Sequence, residues 1–155
     1  MTGEPALTRW AAVCAKHAIG QFARFEQGDL AGLAIAAAEA WAMGSGAPEA
    51  SRDAAFEAQL AARGTADAGD HAFASAIRAA GAAAASIDDG RLAASAAAYA
   101  VEAIELSSAA CELASRGAAE RHWQWVELDE HRRSEILGDE PPTPLPAACA
   151  IDTAH

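Results

Sequence analysis

The sequence predicts an all-α fold: a single-domain, alanine-rich bundle of about six helices, arranged mostly as antiparallel helical hairpins. Three observations carry this. About three residues in ten are Ala, the best helix former and one that loses no side-chain entropy on folding. The larger apolar residues recur at steps of three and four, and no stretch shows β-like alternation of branched residues. The helical stretches are separated by short Gly, Asp and Pro breaks, which make consecutive helices antiparallel neighbours. At 155 residues the chain fits one domain with a self-sufficient core. Because large apolar residues are sparse, that core must bring helix backbones close together.

The first helix is expected from about Thr8, a capping residue, to Phe25, with Trp10, Cys14, His17, Gln21 and Phe25 on one stripe and Val13 and Phe22 beside it. Glu26-Gln27-Gly28-Asp29 is a turn. The second helix, about Leu30 to Met43, places Leu33, Ala37 and Trp41 on one face, and Gly44-Ser45-Gly46-Ala47 breaks it. Pro48 suits the first turn of a third helix, where its missing N–H has no partner to lose. That helix carries Arg52, Phe56 and Leu60 and is expected to stop near Arg63, with Gly64 as a left-handed cap. A fourth helix starts after Asp67 or Asp70 and carries Phe73, Ile77 and Arg78 toward Ala85. Asp88-Asp89-Gly90 is the clearest turn. The fifth helix runs from Leu92 to about Leu113 and the last from about Ala118 to Leu137. Residues 1–137 thus form the helical domain. From Gly138 the run Pro141-Pro142-Thr143-Pro144-Leu145-Pro146 cannot form helix, so residues 138–155 read as an extended or disordered tail, dispensable for folding.

The formal charge is −11, with a pI of about 4.7. Nucleic acid and anionic membrane both need a basic footprint, so neither is expected as a partner; a basic protein is. The N-terminal stretch lacks the basic start and unbroken apolar run of a signal peptide, and the Ala-rich stretches are too weakly apolar to span a bilayer. The cytoplasm is the default, and the excess of Ala, Gly and Arg reads as a high-GC bacterial coding bias. Three cysteines, Cys14, Cys111 and Cys149, are an odd and widely spaced set rather than a disulfide framework. Cys14 and Cys111 fall in apolar helical stretches and read as small core residues.

Candidate chemistry is thin. Glu127 and His131 stand one turn apart with His122 upstream, yet no His-Glu-x-x-His motif occurs, and ion pairs on a solvated face explain them. No metal and no cofactor are expected. The carboxylate pairs Asp53/Glu57 and Glu102/Glu105 lack any signal that separates their pKa values. There is no Gly-rich phosphate loop; Ala80-Gly81-Ala82 marks a close helix–helix approach instead. Ser107, Ser108 and Cys111 have no His nearby in sequence. The richest stretch is Glu120-Arg121-His122-Trp123-Gln124-Trp125. Its two indoles point about 200° apart on a helix, so one can anchor the helix to the bundle while the other borders a cleft. A ligand or partner pocket, if the helices form one, is expected from Trp41, Arg52, Arg78, Tyr99, Arg121, Trp123 and Gln124, which combine aromatic walls with planar hydrogen-bonding groups.

Several segments resemble one bacterial family. These are Arg9 with Cys14-Ala15; Ala40-Trp41-Ala42-Met43-Gly44; Arg52-Asp53-Ala54-Ala55-Phe56 through Ala61-Ala62-Arg63; Arg78-Ala79-Ala80-Gly81; Ala97-Ala98-Tyr99-Ala100; and Glu120-Arg121-His122-Trp123-Gln124. In this order, from about Leu7 to Leu137, they resemble the immunity-five-like group of polymorphic-toxin systems. Members of that group often carry His in the third helix and around the turn before the Tyr-bearing helix; this chain has Gln59 and the stretch Ser86 to Leu92 there. The resemblance implies a helical protein that neutralises a cognate toxin by occlusion, without chemistry of its own, and the net charge of −11 adds the expectation that an acidic surface meets a basic toxin. Two alternatives stand beside it: a small helical enzyme or small-molecule binder with an interhelical pocket, as in a biosynthetic cluster, and a homo-oligomer built on Ala-rich faces.

Overall fold

The computed structural model describes residues 2–146. Among them the chain is all-helical, with seven helices: α1 (Pro5–Ile19), α2 (Leu30–Ala42), α3 (Pro48–Asp67), α4 (His71–Ala85), α5 (Arg91–Leu106), α6 (Leu113–Glu127) and α7 (Glu130–Ile136). No helix is long and apolar enough to cross a membrane. Each of the first six helices packs on its neighbour in sequence, so the chain is a series of helical hairpins. Helix α4 lies at the centre, touching α1, α2, α3 and α5, and eleven of its fifteen residues are buried. That is possible because most of them are Ala: a helix without bulky side chains can be surrounded closely on every side.

The close approach is visible at Gly81. A Cβ there would fall 2.9 Å from Gln59 Nε2, 3.3 Å from Ala58 Cβ and 3.4 Å from the Ala55 carbonyl oxygen, so α3 and α4 pack closely at this point. The hydroxyls inside the bundle are partnered, as burial requires. Ser51 donates to the Ala84 carbonyl at 2.9 Å. Ser86 donates to the Ala83 carbonyl at 2.7 Å, which leaves Thr8 as the donor in its 2.8 Å bond to Ser86.

Several helix ends differ from the expectation. Helix α1 stops at Ile19 rather than Phe25. The chain leaves it to set Phe22 against Phe73, with ring centroids 5.3 Å apart, and to place Arg24 over the same ring while pairing it with Asp70. Helix α3 runs through Gly64 to Asp67, and the left-handed glycine is Gly69, with φ of 92°. Helix α5 ends at Leu106 because Ser107 and Ser108 both turn their hydroxyls onto the Ile104 carbonyl. The single last helix is two: the backbone becomes extended at buried Leu128, where Arg133 donates to the carbonyls of Leu128 (2.9 Å) and Val126 (3.1 Å). Pro48 and Asp70 open α3 and α4, the latter accepting the Phe73 N–H at 3.1 Å.

Two further expectations change. Cys14 is a buried free thiol, but Cys111 lies in the exposed turn after α5 and is disulfide-bonded. It is not a core residue, and its disulfide departs from the expectation that the cysteines form no disulfide framework. Cys149 falls outside the described residues. The α2–α3 hairpin also turns its larger residues outward. Leu33, Phe56 and Leu60 are exposed, while Ala31, Ala34, Ile35 and Ala38 of α2 and Ser51, Ala55, Ala58 and Ala62 of α3 face the bundle.

Candidate functional site

Helix α6 carries the densest polar chemistry of the molecule. It approaches α5 so closely at Gly117 that a Cβ there would fall 2.2 Å from Glu105 Oε1. One turn on, Glu120 and Gln124 share the inward face and are buried, at 4% and 2% exposure. A carboxylate taken out of water must be met by donors, and Glu120 is: His17 Nδ1 of α1 lies 3.0 Å from one oxygen, and Gln124 Nε2 donates to the other at 3.3 Å. The Gln124 amide also donates to the Ala97 carbonyl of α5 at 3.0 Å. The Trp10 indole N–H donates to the Gln124 main-chain carbonyl at 3.0 Å. The His17 ring stacks on Trp123, with centroids 4.1 Å apart. These contacts tie α6 to α1 and α5 together.

Beneath this network burial pushes the Cys14 thiol pKa well above its ordinary value, with the negative charges of Glu120 and Glu127 adding to the effect. The thiol is held in its protonated form and is not a nucleophile.

On the α5 side of α6 lies an open cleft of about 460 Å³. Its floor is apolar, with Ala97, Val101 and Leu137; its polar walls are Tyr99, Glu102, Glu105, Arg121 and Gln124. Glu105 pairs with Arg121 at 2.7 Å. Glu102 accepts a hydrogen bond from Ser75 at 3.0 Å and is otherwise turned to solvent. The two carboxylates are thus held by different partners, one by an arginine and one by a serine. The arrangement offers a negative charge and an aromatic ring beside apolar surface, which suits a cationic side chain.

Of the seven residues expected to form a pocket, this cleft brings together Tyr99, Arg121 and Gln124. The other four are not among its lining side chains. Trp123 lies against His17. Trp41 is half-buried at the end of α2, where its carbonyl accepts the Gly44 N–H. Arg52 is exposed and grips Asp88 with two hydrogen bonds of 2.8 Å. Arg78 is half-buried on α4. Sequence alone leaves His17 without a visible partner, because Glu120 is 103 residues away. The signal within reach is local: two polar residues one turn apart, Glu120 and Gln124, on a helix whose neighbours are aromatic.

Among the described residues no group of three or more His, Cys, Asp or Glu is placed to hold a metal ion. Compared with known proteins, the chain matches the family model described as Imm-5 like putative immunity protein over residues 3–131. No curated protein and no solved structure matches it. The matched span covers α1 through α6 and takes in the whole Glu120–Trp123–Gln124 network, so this chain belongs to the Imm-5 like putative immunity protein family.

Proposed function

We propose that the protein neutralises a cognate toxin by binding it through an acidic surface, with the α5–α6 cleft seating a basic side chain of the toxin. The observation that carries this reading, beside family membership, is where the charge lies. Among the described residues Glu120 is the only buried carboxylate, so nearly all the excess acid of a chain of charge −11 faces solvent. Six of the basic residues, Lys16, Arg24, Arg52, Arg91, Arg121 and Arg132, are engaged by acidic partners within the chain. Among the described residues, exposed acids without such a partner remain, including Glu102 in the cleft and Glu127, Glu130 and Glu135 around α7. Such a field steers a cationic partner and speeds its association. Occlusion then suffices for immunity, and the reading needs no catalytic group.

The test is titration of the protein against the toxin encoded beside its gene, at rising salt. Affinity should fall with ionic strength, because exposed charge is screened over about 10 Å at 0.1 M. Glu102→Gln should weaken binding further without changing thermal stability. The cleft also lies within the size range of small-molecule sites. If the neighbouring toxin does not bind while a metabolite raises the melting temperature, and Tyr99→Ala abolishes that rise, the cleft is a ligand pocket and the immunity reading fails.

A further inference from the structure

The outward face of α3 is built as one half of a symmetric contact. Ser51, Ala55, Ala58 and Ala62 face the bundle. On the opposite side Glu49, Asp53, Phe56, Leu60, Arg63 and Asp67 form an exposed line whose spacing of 4, 3, 4, 3, 4 keeps it straight along the helix. At its centre stand two large apolar residues directed away from the core, Phe56 at 63% and Leu60 at 47% exposure. An exposed apolar residue by itself needs no explanation. Two on adjacent turns, flanked by charges in this order, do.

The order of those charges selects the partner. The midpoint of Phe56 and Leu60 along the chain is Ala58, and the midpoint of Asp53 and Arg63 is the same residue. If a second α3 lies antiparallel across the first with its two-fold axis at Ala58, Phe56 meets Leu60 of the other copy, and Asp53 meets Arg63, each pair occurring twice. Arg52, held by Asp88, falls opposite Gly64, where nothing lies within 4 Å of a Cβ position. The outermost pair, Glu49 with Asp67, is acidic on both sides, and Arg52 lies 3.7 Å from Glu49. A basic toxin face would match Asp53 and Glu57 but would meet Arg63 with like charge; a second copy turns both signs to account.

We infer that the outward face of α3 is a self-association surface, on which two copies of this chain pair antiparallel through Phe56 and Leu60 with reciprocal Asp53–Arg63 contacts. The contact is one helix wide on each side, in the size class of weak and transient interfaces. Affinity comes from the apolar pair and orientation from the charges, since exposed ion pairs contribute little each. The inference goes beyond the immunity reading and does not depend on it.

Sedimentation equilibrium of the full chain, run from micromolar to millimolar concentration, tests it. The wild type should pass from monomer to dimer and no further, because a two-fold contact closes. Phe56→Glu should remain monomeric with unchanged helical circular dichroism, since the side chain is exposed. Asp53→Arg and Arg63→Asp should each raise the dimer Kd about tenfold, as each places like charges at two sites. The double variant exchanges the signs and should return to within a few-fold of wild type. A monomer at every concentration overturns the inference. So does a dimer that survives Phe56→Glu, or a double variant as weak as either single. A monomer whose Phe56→Glu variant loses affinity for the toxin would assign the face to that partner instead.

Discussion

His17 and Glu120 lie 103 residues apart in the chain and meet at 3.0 Å across the α1–α6 contact, beneath the ring of Trp123. Glu120 is buried, so the pair joins a helix at the start of the fold to the one near its end. Truncating the carboxylate leaves the Gln124 amide with one acceptor fewer and removes the His17 partner.

Glu120→Ala is therefore expected to cost about 2 kcal/mol in urea unfolding, the range for losing hydrogen bonds to a charged acceptor and leaving their donors short of a partner. In a double-mutant cycle with His17→Ala the two effects should be non-additive by at least about 0.5 kcal/mol. Additive losses would mean that the contact contributes nothing as a pair.

Cys14 gives a prediction in pH. Its thiol pKa is raised in the folded protein by burial first and by Glu120 and Glu127 next. A raised pKa means that the folded state holds its proton where the unfolded state releases it. The resulting stability is complete below the unfolded value of about 9 and declines as pH rises through and above it. Stability should fall from pH 9 upward with a slope of up to about 1.4 kcal/mol per unit from this group, and Cys14→Ala should flatten that slope relative to wild type. A thiol reagent at pH 8 should label Cys14 only as the protein unfolds; fast labelling of the native protein would show that the thiol is not enclosed.

Gly81 sets the α3–α4 spacing. A Cβ there comes within 2.9 Å of Gln59 Nε2, the movable end of a flexible side chain, and within 3.3 Å of Ala58 Cβ and 3.4 Å of the Ala55 carbonyl oxygen, which are not. Alanine gains up to about 1 kcal/mol in helix propensity against that crowding, so Gly81→Ala should change stability little. Gly81→Leu cannot be accommodated without separating two central helices and should cost about 2–3 kcal/mol. If leucine is tolerated as well as alanine, the two helices are not in close contact there.

The fold was legible because its signals are local. Alanine content, the three–four spacing, Pro48, Asp70 and the Asp88–Gly90 turn each act within a few residues. So was the close approach at Gly81. What failed to show was set at a distance or by a single side chain. Gly20, next to Ile19 where α1 ends, is a local stop signal that the periodicity running on to Phe25 masks, and no nearby residue announces that Phe22 will pack on Phe73. Periodicity grouped Phe56 and Leu60 correctly on one face of α3, but it does not say which face turns inward, and here a stripe of Ala packs closer than a stripe of large residues could. The cleft suffered likewise: Tyr99 on α5 meets Arg121 and Gln124 on α6 only in the packed pair, where Gly117 leaves room for the Glu105 side chain.

The break between α6 and α7 supplies the last prediction. No Pro or Gly interrupts the chain at Leu128; the corner is held by Arg133. Its guanidinium donates to the carbonyls of Leu128 and Val126 and lies 4.0 Å from the ring centroid of Trp125. These are helix-end carbonyls that lack a partner within α6, and a planar fork can reach two of them while its face covers the indole. Arg133→Ala should cost about 1–2 kcal/mol and alter tryptophan fluorescence, because Trp125 loses its cover. Arg133→Lys keeps the charge but has neither the fork nor the flat face, so it should resemble Arg133→Ala more than wild type. Full recovery with lysine would show that positive charge at the end of α6, rather than the paired hydrogen bonds and stacking, holds the corner.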